Sequence, residues 1–202
     1  MQIDFASLTP LERYRWLAST VTPRPIAWVS TLSPSGVSNL APFSFFQVIS
    51  DDPPTLLVNV NHRADGSLKD TLVNARATGE LVIHLVPYAQ AEAMNASSAQ
   101  LAPEQSEFEH GAIATAPSLR VKAPRVATAP VAFECRLVQA LPYPAEVPNC
   151  HLLFAEVLLA HIDDAVLNEQ GRIDPARLDL IGRLGGAAYT RTTERFELQR
   201  PG

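Results

Sequence analysis

The chain has 202 residues, 47% of them hydrophobic, so it can bury a large core, and one domain over 1–202 is the simplest expectation. Sixteen basic and 21 acidic residues give a net charge of −5, and the scattered basic residues exclude the basic patch of a protein that binds nucleic acid or a membrane surface. No run approaches the ~20 apolar residues that cross a bilayer and the N-terminus has no leader pattern, so a soluble, cytoplasmic protein is predicted.

The N-terminal part of the chain predicts one helix followed by three strands. Thr9 and Glu12 form a capping-box pattern at the start of the helix. Turn residues at 33–36 join the first two strands, and Pro42 is expected to break the second one because proline cannot donate a ladder hydrogen bond. The three strands are predicted at 25–31, 43–49 and 55–60.

The rest of the chain continues the pattern of strands with short helices between them. A capping-box pattern at 67–70 predicts a second helix that ends at Gly79. Residues 100–130 lack periodicity and are expected to form a long surface excursion. Further strands are predicted at 81–86, 131–137 and 151–162. Six or so strands favour a mainly β fold, a β-barrel with inserted helices.

Several common catalytic motifs are missing from the sequence. There is no GxGxxG after a strand, no GxxxxGK[ST], no GxSxG and no HExxH, which argues against Rossmann and P-loop enzymes. The five histidines share no ligand spacing, so no metal site is predicted, and His84 and His161 are interpreted as satisfied strand histidines. Cys135 and Cys150 are interpreted as packing residues, with a redox pair as the alternative.

Polar residues cluster in three segments, and the formation of a β fold does not require them there. Two prolines fix the backbone around Arg24, whose guanidinium could hold an anion, and Ser30 and Thr31 end the strand with hydroxyls. A plain proline turn and a polar strand end are the competing interpretation. Around Asn39 and Ser44, backbone groups freed by Pro42 need partners, which a planar heterocycle such as a flavin could supply.

The third segment lies at the start of the second predicted helix. Lys69 and Thr71 are near its N-terminus, where free N–H groups and the helix dipole favour an anion, and Arg63 precedes them in a glycine-containing loop. Together they predict a phosphate cradle. Asp70 opposes that charge, so we expect it to cap the helix.

As a set, residues 22–31, 39–46 and 69–71 resemble the flavin reductase-like family of FMN-binding split β-barrels, over about residues 10–190. The resemblance implies a homodimer with FMN in two clefts at the interface and hydride transfer from NAD(P)H to the flavin. Such chemistry belongs to the cofactor, and no catalytic acid or base is assigned. The implied function is NAD(P)H-dependent reduction of flavin or another small acceptor. The alternatives are an FMN enzyme acting directly on a small organic substrate and a non-catalytic FMN-binding or storage protein.

The resemblance also implies roles for individual residues. The phosphate and ribityl end would be held by Arg24, Ser30, Thr31, Lys69 and Thr71, and the isoalloxazine would face Asn39, Ala41, Pro42 and Ser44. Residues 183–189 are similar to the family's C-terminal segment, which adds Arg183 and Tyr189. Residues 87–130 are expected to shape the substrate side of the cleft.

Overall fold

The computed structural model describes residues 1–201 and shows a mainly β fold with inserted helices, as predicted. Within these residues the helices are α1 (Pro10–Thr20), α2 (Asp70–Thr78), α3 (Ala91–Ala96), α4 (Glu107–His110) and α5 (Pro175–Leu178). The strands are β1 (Ala27–Leu32), β2 (Ser38–Phe43), β3 (Phe46–Asp51), β4 (Pro54–Asn61), β5 (Glu80–Leu85), β6 (Thr115–Ala116), β7 (Arg125–Val126), β8 (Val131–Tyr143), β9 (Cys150–Ile162), β10 (Ile181–Arg183) and β11 (Tyr189–Arg191). None of these helices is long and apolar enough to span a membrane.

Seven strands form one antiparallel sheet in the order β2-β1-β5-β8-β9-β4-β3. The two edge strands, β2 and β3, are consecutive in the chain and joined by Ser44 and Phe45 alone, so the sheet must curl until its edges meet there. The Asn59 N–H of β4 donates to the Phe45 carbonyl at 2.8 Å, so pairing with β4 continues into that corner, where β2 also contacts β4. The sheet is therefore a barrel that is joined at one corner and open between its edges.

The two faces of the sheet bury separate apolar clusters because side chains alternate along each strand. The inner face and α2 enclose the barrel core, which includes Val29, Val58, Leu72, Ile83 and Leu153. Each fully buried side chain of this size contributes about 1.5–3 kcal/mol. The outer face carries a second cluster that includes Trp28, Leu40, Met94, Phe108 and Val126.

Residues 100–130, predicted as a long surface excursion, pack against the outer face of the sheet. Phe108, Val121 and Val126 from this segment are buried against the outer face of the sheet. The carboxylate of fully buried Glu134 on β8 accepts hydrogen bonds from the Leu119, Arg120 and Val121 N–H groups. The segment lacks periodicity because its apolar side chains dock singly and its regular elements, α4, β6 and β7, are only two to four residues long.

The two predicted capping boxes have different outcomes. At α1 the box forms, since Thr9 Oγ1 accepts from the Glu12 N–H and the Glu12 carboxylate accepts from the Thr9 N–H at 2.8 Å. At α2 the prediction is wrong, because Lys69 is the N-cap residue and its side chain makes no capping bond. Gly79 ends α2 in the left-handed region (φ 73°), as predicted.

Pro42 does not break its strand, contrary to expectation. It lies inside β2 opposite Trp28 of β1. Since β2 is at the edge of the sheet, the missing proline N–H costs no ladder hydrogen bond. Regular pairing therefore continues through Pro42, and the backbone groups without ladder partners are those on the outer side of this edge strand.

The strand histidines are both satisfied, as predicted. His84 is fully buried, with Nδ1 donating to the Trp28 carbonyl at 2.8 Å and Nε2 accepting from the Val126 N–H at 3.0 Å. His161 Nε2 contacts Glu134 Oε1 at 2.5 Å. Cys135 and Cys150 are buried free thiols, and burial raises the pKa of both.

Candidate functional site

Two adjoining pockets form one cleft beside the edge strand β2. They share Pro42 and Ser98, and their cavity volumes are about 140 and 220 Å³. Each is smaller than a typical small-molecule site, and only the two together reach that size. The first, here called the charged pocket, is lined by Asn39, Ala41, Pro42, Arg63, Lys69, Asp70, Thr71, Ser97, Ser98, Ala99, Gln100, Leu101 and Glu107. The second, the aromatic pocket, is lined by Tyr14, Ile26, Pro42, Phe43, Ser44, Met94, Asn95, Ser98, Arg183 and Tyr189.

A buried polar network forms one wall of the charged pocket. Asn39 Nδ2 donates to both oxygens of the Glu107 carboxylate at 3.0 Å, and Asn39 Oδ1 accepts from Thr71 Oγ1 at 2.8 Å. Glu107 also accepts from the Leu40 N–H at 2.9 Å, which is a donor on the free edge of β2. The network fixes the amide of Asn39 and connects α4, β2 and the first turn of α2.

The Glu107 carboxyl is unusually buried for an ionisable group, with 6% of the residue exposed. Burial raises its pKa, and the hydrogen bonds from Leu40 and Asn39 only partly offset that effect. The nearby Asp70 carboxylate also raises the pKa. A raised pKa means that this carboxyl takes up a proton more readily than an exposed glutamate does.

The cations of the charged pocket differ in how they are paired. Arg63 Nη2 lies 2.6 Å from Asp70 Oδ2, so this guanidinium is neutralised within the protein. Lys69 makes no ion pair with any residue in 1–201, and its ammonium lies 5.3 Å from the Phe43 ring centroid. Partial burial, followed by the charge of Arg63, lowers the pKa of Lys69. The pocket therefore presents, at the N-terminus of α2, a cation that makes no direct ion pair.

The aromatic pocket combines flat side chains with a few donors. The Arg183 guanidinium stacks over the Tyr189 ring at 4.4 Å, and Tyr189 Oη lies 3.5 Å from Asn95 Oδ1. Ser44 contributes a hydroxyl. Such a pocket suits a planar, partly polar ring better than a flexible polar chain.

Comparison with known proteins decides the family. Residues 19–177 match the model of the flavin reductase like domain, which covers well over half of the chain. The chain belongs to the flavin reductase-like family. Membership places it among the flavin-related oxidoreductases, as the sequence resemblance indicated.

Solved structures similar to this flavin reductase-like protein have the same fold. Nitrilotriacetate monooxygenase component B from Bacillus cereus is 34% identical with a TM-score of 0.93, covering 98% of each chain. The 2-nitrobenzoate 2-nitroreductase NbaA of Pseudomonas fluorescens is 31% identical with a TM-score of 0.90, over 100% of this chain and 96% of that one. A protein with a split barrel domain from Shewanella frigidimarina has a TM-score of 0.85 at 20% identity over 100% of both chains, which shows the shared split-barrel fold.

The structure brings nine of the twelve predicted cofactor residues of this flavin reductase-like protein to the cleft. Asn39, Ala41, Pro42, Arg63, Lys69 and Thr71 line the charged pocket, and Ser44, Arg183 and Tyr189 line the aromatic pocket. Pro42 lines both. The three segments and the C-terminal segment meet because β2, α2 and β10 all lie at the same open edge of the barrel.

Arg24 is not free to hold an anion, which corrects the expectation. Its guanidinium donates to the carbonyls of Ala18, Val21 and Leu184, and its Nε lies 3.4 Å from Ser44 Oγ. A buried guanidinium must satisfy its donors, and these carbonyls at the end of α1 and after β10 are within reach. Arg24 therefore supports the wall of the aromatic pocket from behind.

Ser30 and Thr31 also lie away from the cleft surface, and both are fully buried. Consecutive strand residues point to opposite faces of a sheet, so the two hydroxyls cannot serve one ligand group. Thr31 accepts from Asn74 Nδ2 of α2 at 3.2 Å, and Ser30 Oγ has no hydrogen-bond partner among residues 1–201. Thr31 thus anchors α2 and does not reach the phosphate cradle.

Residues 87–130 contribute to the cleft, as the sequence resemblance implied, but the sequence did not identify the individual residues that line it. Ser97 to Leu101 and Glu107 line the charged pocket, and Met94 and Asn95 line the aromatic one. Glu107 stands in an aperiodic segment, so only the tertiary contact with Asn39 distinguishes it from a surface glutamate. Tyr14, on the helix α1, likewise gave no signal beyond helical spacing.

Proposed function

We propose that this protein holds FMN in the cleft and uses NAD(P)H to reduce flavin or another small acceptor by hydride transfer. Family membership and the similarity to nitrilotriacetate monooxygenase component B support an oxidoreductase of this kind. When bound, FMN supplies the ring that accepts and donates the hydride. The protein supplies the binding, the orientation and the exclusion of water.

Lys69 is the observation that carries the proposal. A partly buried ammonium without a carboxylate partner is unfavourable by itself, so its position favours a ligand that brings negative charge. The N-terminus of the nine-residue helix α2 adds backbone N–H groups and a favourable dipole at the same place. A phosphate monoester matches this donor set, with Arg63 and Thr71 beside it.

The aromatic pocket matches the other end of FMN. Pro42 and Ser98 belong to both pockets, so one ligand can occupy the two at once. Phe43 and Tyr14 offer apolar contact to a flat ring, while Ser44 and Arg183 offer hydrogen-bond donors. We assign no catalytic acid or base, because positioning of the ring and of the nicotinamide is what the reaction requires of the protein.

The activity is tested with purified protein, FMN and either NADH or NADPH. We expect loss of the reduced nicotinamide absorbance and bleaching of the flavin band over many turnovers under anaerobic conditions. Tight binding of FMN without nicotinamide oxidation would instead indicate a binding or storage protein and would contradict the reductase assignment.

The binding mode is tested by replacing Lys69 with methionine, which keeps the stem against Phe43 and removes the charge. A charge-assisted hydrogen bond contributes about 1.5–3 kcal/mol, so we expect a loss of about 10- to 100-fold in FMN affinity and little change for riboflavin. Lys122→Met is the matched control, since Lys122 is exposed and is the only other lysine. Equal losses for FMN and riboflavin in Lys69→Met would show that the phosphate binds elsewhere.

A second candidate is an FMN enzyme that reduces a small organic substrate directly. The 31% identity to 2-nitrobenzoate 2-nitroreductase favours it, as does the contribution of residues 87–130 to both pockets. Nicotinamide oxidation that depends on added 2-nitrobenzoate and exceeds the rate with free FMN would support this candidate over flavin reduction.

We also propose that the protein is a cytoplasmic homodimer. The edge strand β3 exposes Val48 and Ile49, and an exposed apolar edge strand favours association with another chain. Light scattering after size-exclusion chromatography should give twice the mass of the 21.9 kDa chain. A monomeric mass at micromolar concentration would contradict the dimer.

A further inference from the structure

The Glu107 carboxyl is fixed in the cleft wall and cannot swing away when an anion binds. The helix α4 that carries Glu107 is held by the buried Phe108 side chain and by a 2.8 Å hydrogen bond between Ser106 and Ser38. The carboxylate itself accepts from Asn39 and Leu40 of β2. Glu107 is therefore a fixed group of the charged pocket.

The charges of this pocket balance before any ligand binds. Arg63 and Asp70 neutralise each other, and Lys69 offsets an ionised Glu107. A phosphate monoester brings a charge of about −1.5 to −2, which would leave the pocket clearly negative. Protonation of one carboxylate relieves this excess. Asp70 is the poorer choice because its proton would cost the 2.6 Å ion pair with Arg63.

Glu107 can take the proton on Oε1 at the cost of one hydrogen bond, the 3.0 Å bond from Asn39 Nδ2 to that oxygen. Its Oε2 alone lies within reach of both donors, at 2.9 Å from the Leu40 nitrogen and 3.0 Å from Asn39 Nδ2. A proton on Oε1 therefore leaves both donors with an acceptor. It also turns Oε1 from an acceptor into a donor in a cleft that receives an anion.

Few charged groups surround Glu107, so a change in proton uptake can be attributed to it. The β2 residues that contact it, Asn39 and Leu40, do not titrate, and α2 contributes Asp70. Glu109 and His110 of α4 itself are exposed, so water screens them. Lys69 and Arg63 complete the set of charged groups that line the pocket.

We propose that Glu107 takes up a proton when the phosphate of a flavin nucleotide enters the cleft, and so makes binding of the phosphate ester tighter at lower pH. The inference rests on the proposed function, because it requires the phosphate in the charged pocket. Riboflavin, which has no phosphate, causes no such uptake. Glu107 acts as a specificity-determining residue and has no part in hydride transfer.

Isothermal titration calorimetry with the full chain tests this between pH 6.5 and 8.5, in two buffers of different ionisation enthalpy. We expect FMN binding to wild-type protein to take up as much as one proton more than riboflavin binding. In that range the Kd for FMN should rise up to about tenfold per pH unit relative to riboflavin. Glu107→Gln, which keeps the shape and an acceptor oxygen, should abolish the extra uptake and flatten the pH profile.

Two results would overturn the inference in distinguishable ways. FMN binding in wild-type protein with the same proton uptake as riboflavin at every pH, or an unchanged excess in Glu107→Gln, would overturn the role of Glu107 alone. The wild-type comparison holds even if the variant does not fold. Absence of binding heat and of spectral change with both FMN and riboflavin would overturn the proposed function together with this inference.

Discussion

The buried imidazole of His84 makes the stability of the fold depend on pH in a defined window. Burial lowers the pKa of His84 from 6.5 to about 4, although the hydrogen bond to Trp28 partly opposes this. His84 Nε2 accepts a hydrogen bond from the Val126 N–H, and a proton on Nε2 would destroy that bond. This bond therefore also favours the neutral ring. Folding therefore requires the neutral ring.

The direction and size of the effect follow from proton linkage. Above pH 6.5 the ring is neutral in both states and contributes no pH dependence. As the pH falls from 6.5 to about 4, the unfolded chain binds a proton that the folded protein excludes, so stability falls. At about 1.4 kcal/mol per pH unit over this window, the loss reaches about 3 kcal/mol, and below it no further loss comes from His84.

Urea denaturation followed by tryptophan fluorescence between pH 4.5 and 7.5 measures this loss. Trp28 is fully buried and its ring lies edge-on to His84, with centroids 6.4 Å apart, so it reports unfolding of this region. His84→Gln should be less stable at pH 7.5 because it cannot keep both hydrogen bonds. It should also lose the extra slope between pH 4.5 and 6.5.

The comparison with the variant isolates His84 from the other titrating groups of the chain. An identical slope of unfolding free energy against pH in wild-type protein and His84→Gln would refute the reasoning. So would a folded-state NMR titration of the His84 ring with a midpoint near 6.5.

Three substitutions test the other structural assignments. Thr9→Ala removes the cap of α1 and should cost about 1 kcal/mol in urea denaturation, whereas an unchanged midpoint would show that α1 does not depend on its capping box. Gly182→Ala places a Cβ 2.8 Å from the Pro23 Cβ and should cost about 1–3 kcal/mol; a neutral result would mean that the β10 backbone shifts freely. Arg24→Met should lower stability by about 3 kcal/mol and weaken FMN and riboflavin equally, while a selective loss of FMN would restore Arg24 to the phosphate site.

The segments at 22–31, 39–46 and 69–71 could be recognised in the sequence because turns, strand ends and helix starts each require particular residue types. Lys69 and Thr71 stand at a helix start that the sequence pattern located within about one turn, and Gly79 marked its end. The hydroxyls of Ser30 and Thr31 were misassigned because two adjacent strand residues point to opposite faces, and the face that α2 covers is decided only by packing.

Long-range packing, which a local pattern does not contain, also explains the wrong predictions for Pro42 and Arg24. Pro42 breaks a central strand but not an edge strand, and strand order is a long-range property that no local pattern contains. Arg24 has the same residue type and flanking prolines whether it binds a ligand or backbone carbonyls. The carbonyl of Leu184, 160 residues away, decides between the two.

By itself the sequence determined the mainly β fold, the family and the cation that faces the cleft, because hydrophobic alternation, helix ends and short motifs act over a few residues. Only the tertiary structure decided how that cation is balanced. Glu107 becomes part of the site through its hydrogen bonds to Asn39 and Leu40, 68 and 67 residues away. Such contacts arise from the curl of the sheet and the docking of residues 100–130 on its outer face, which bring together groups that are unrelated along the chain.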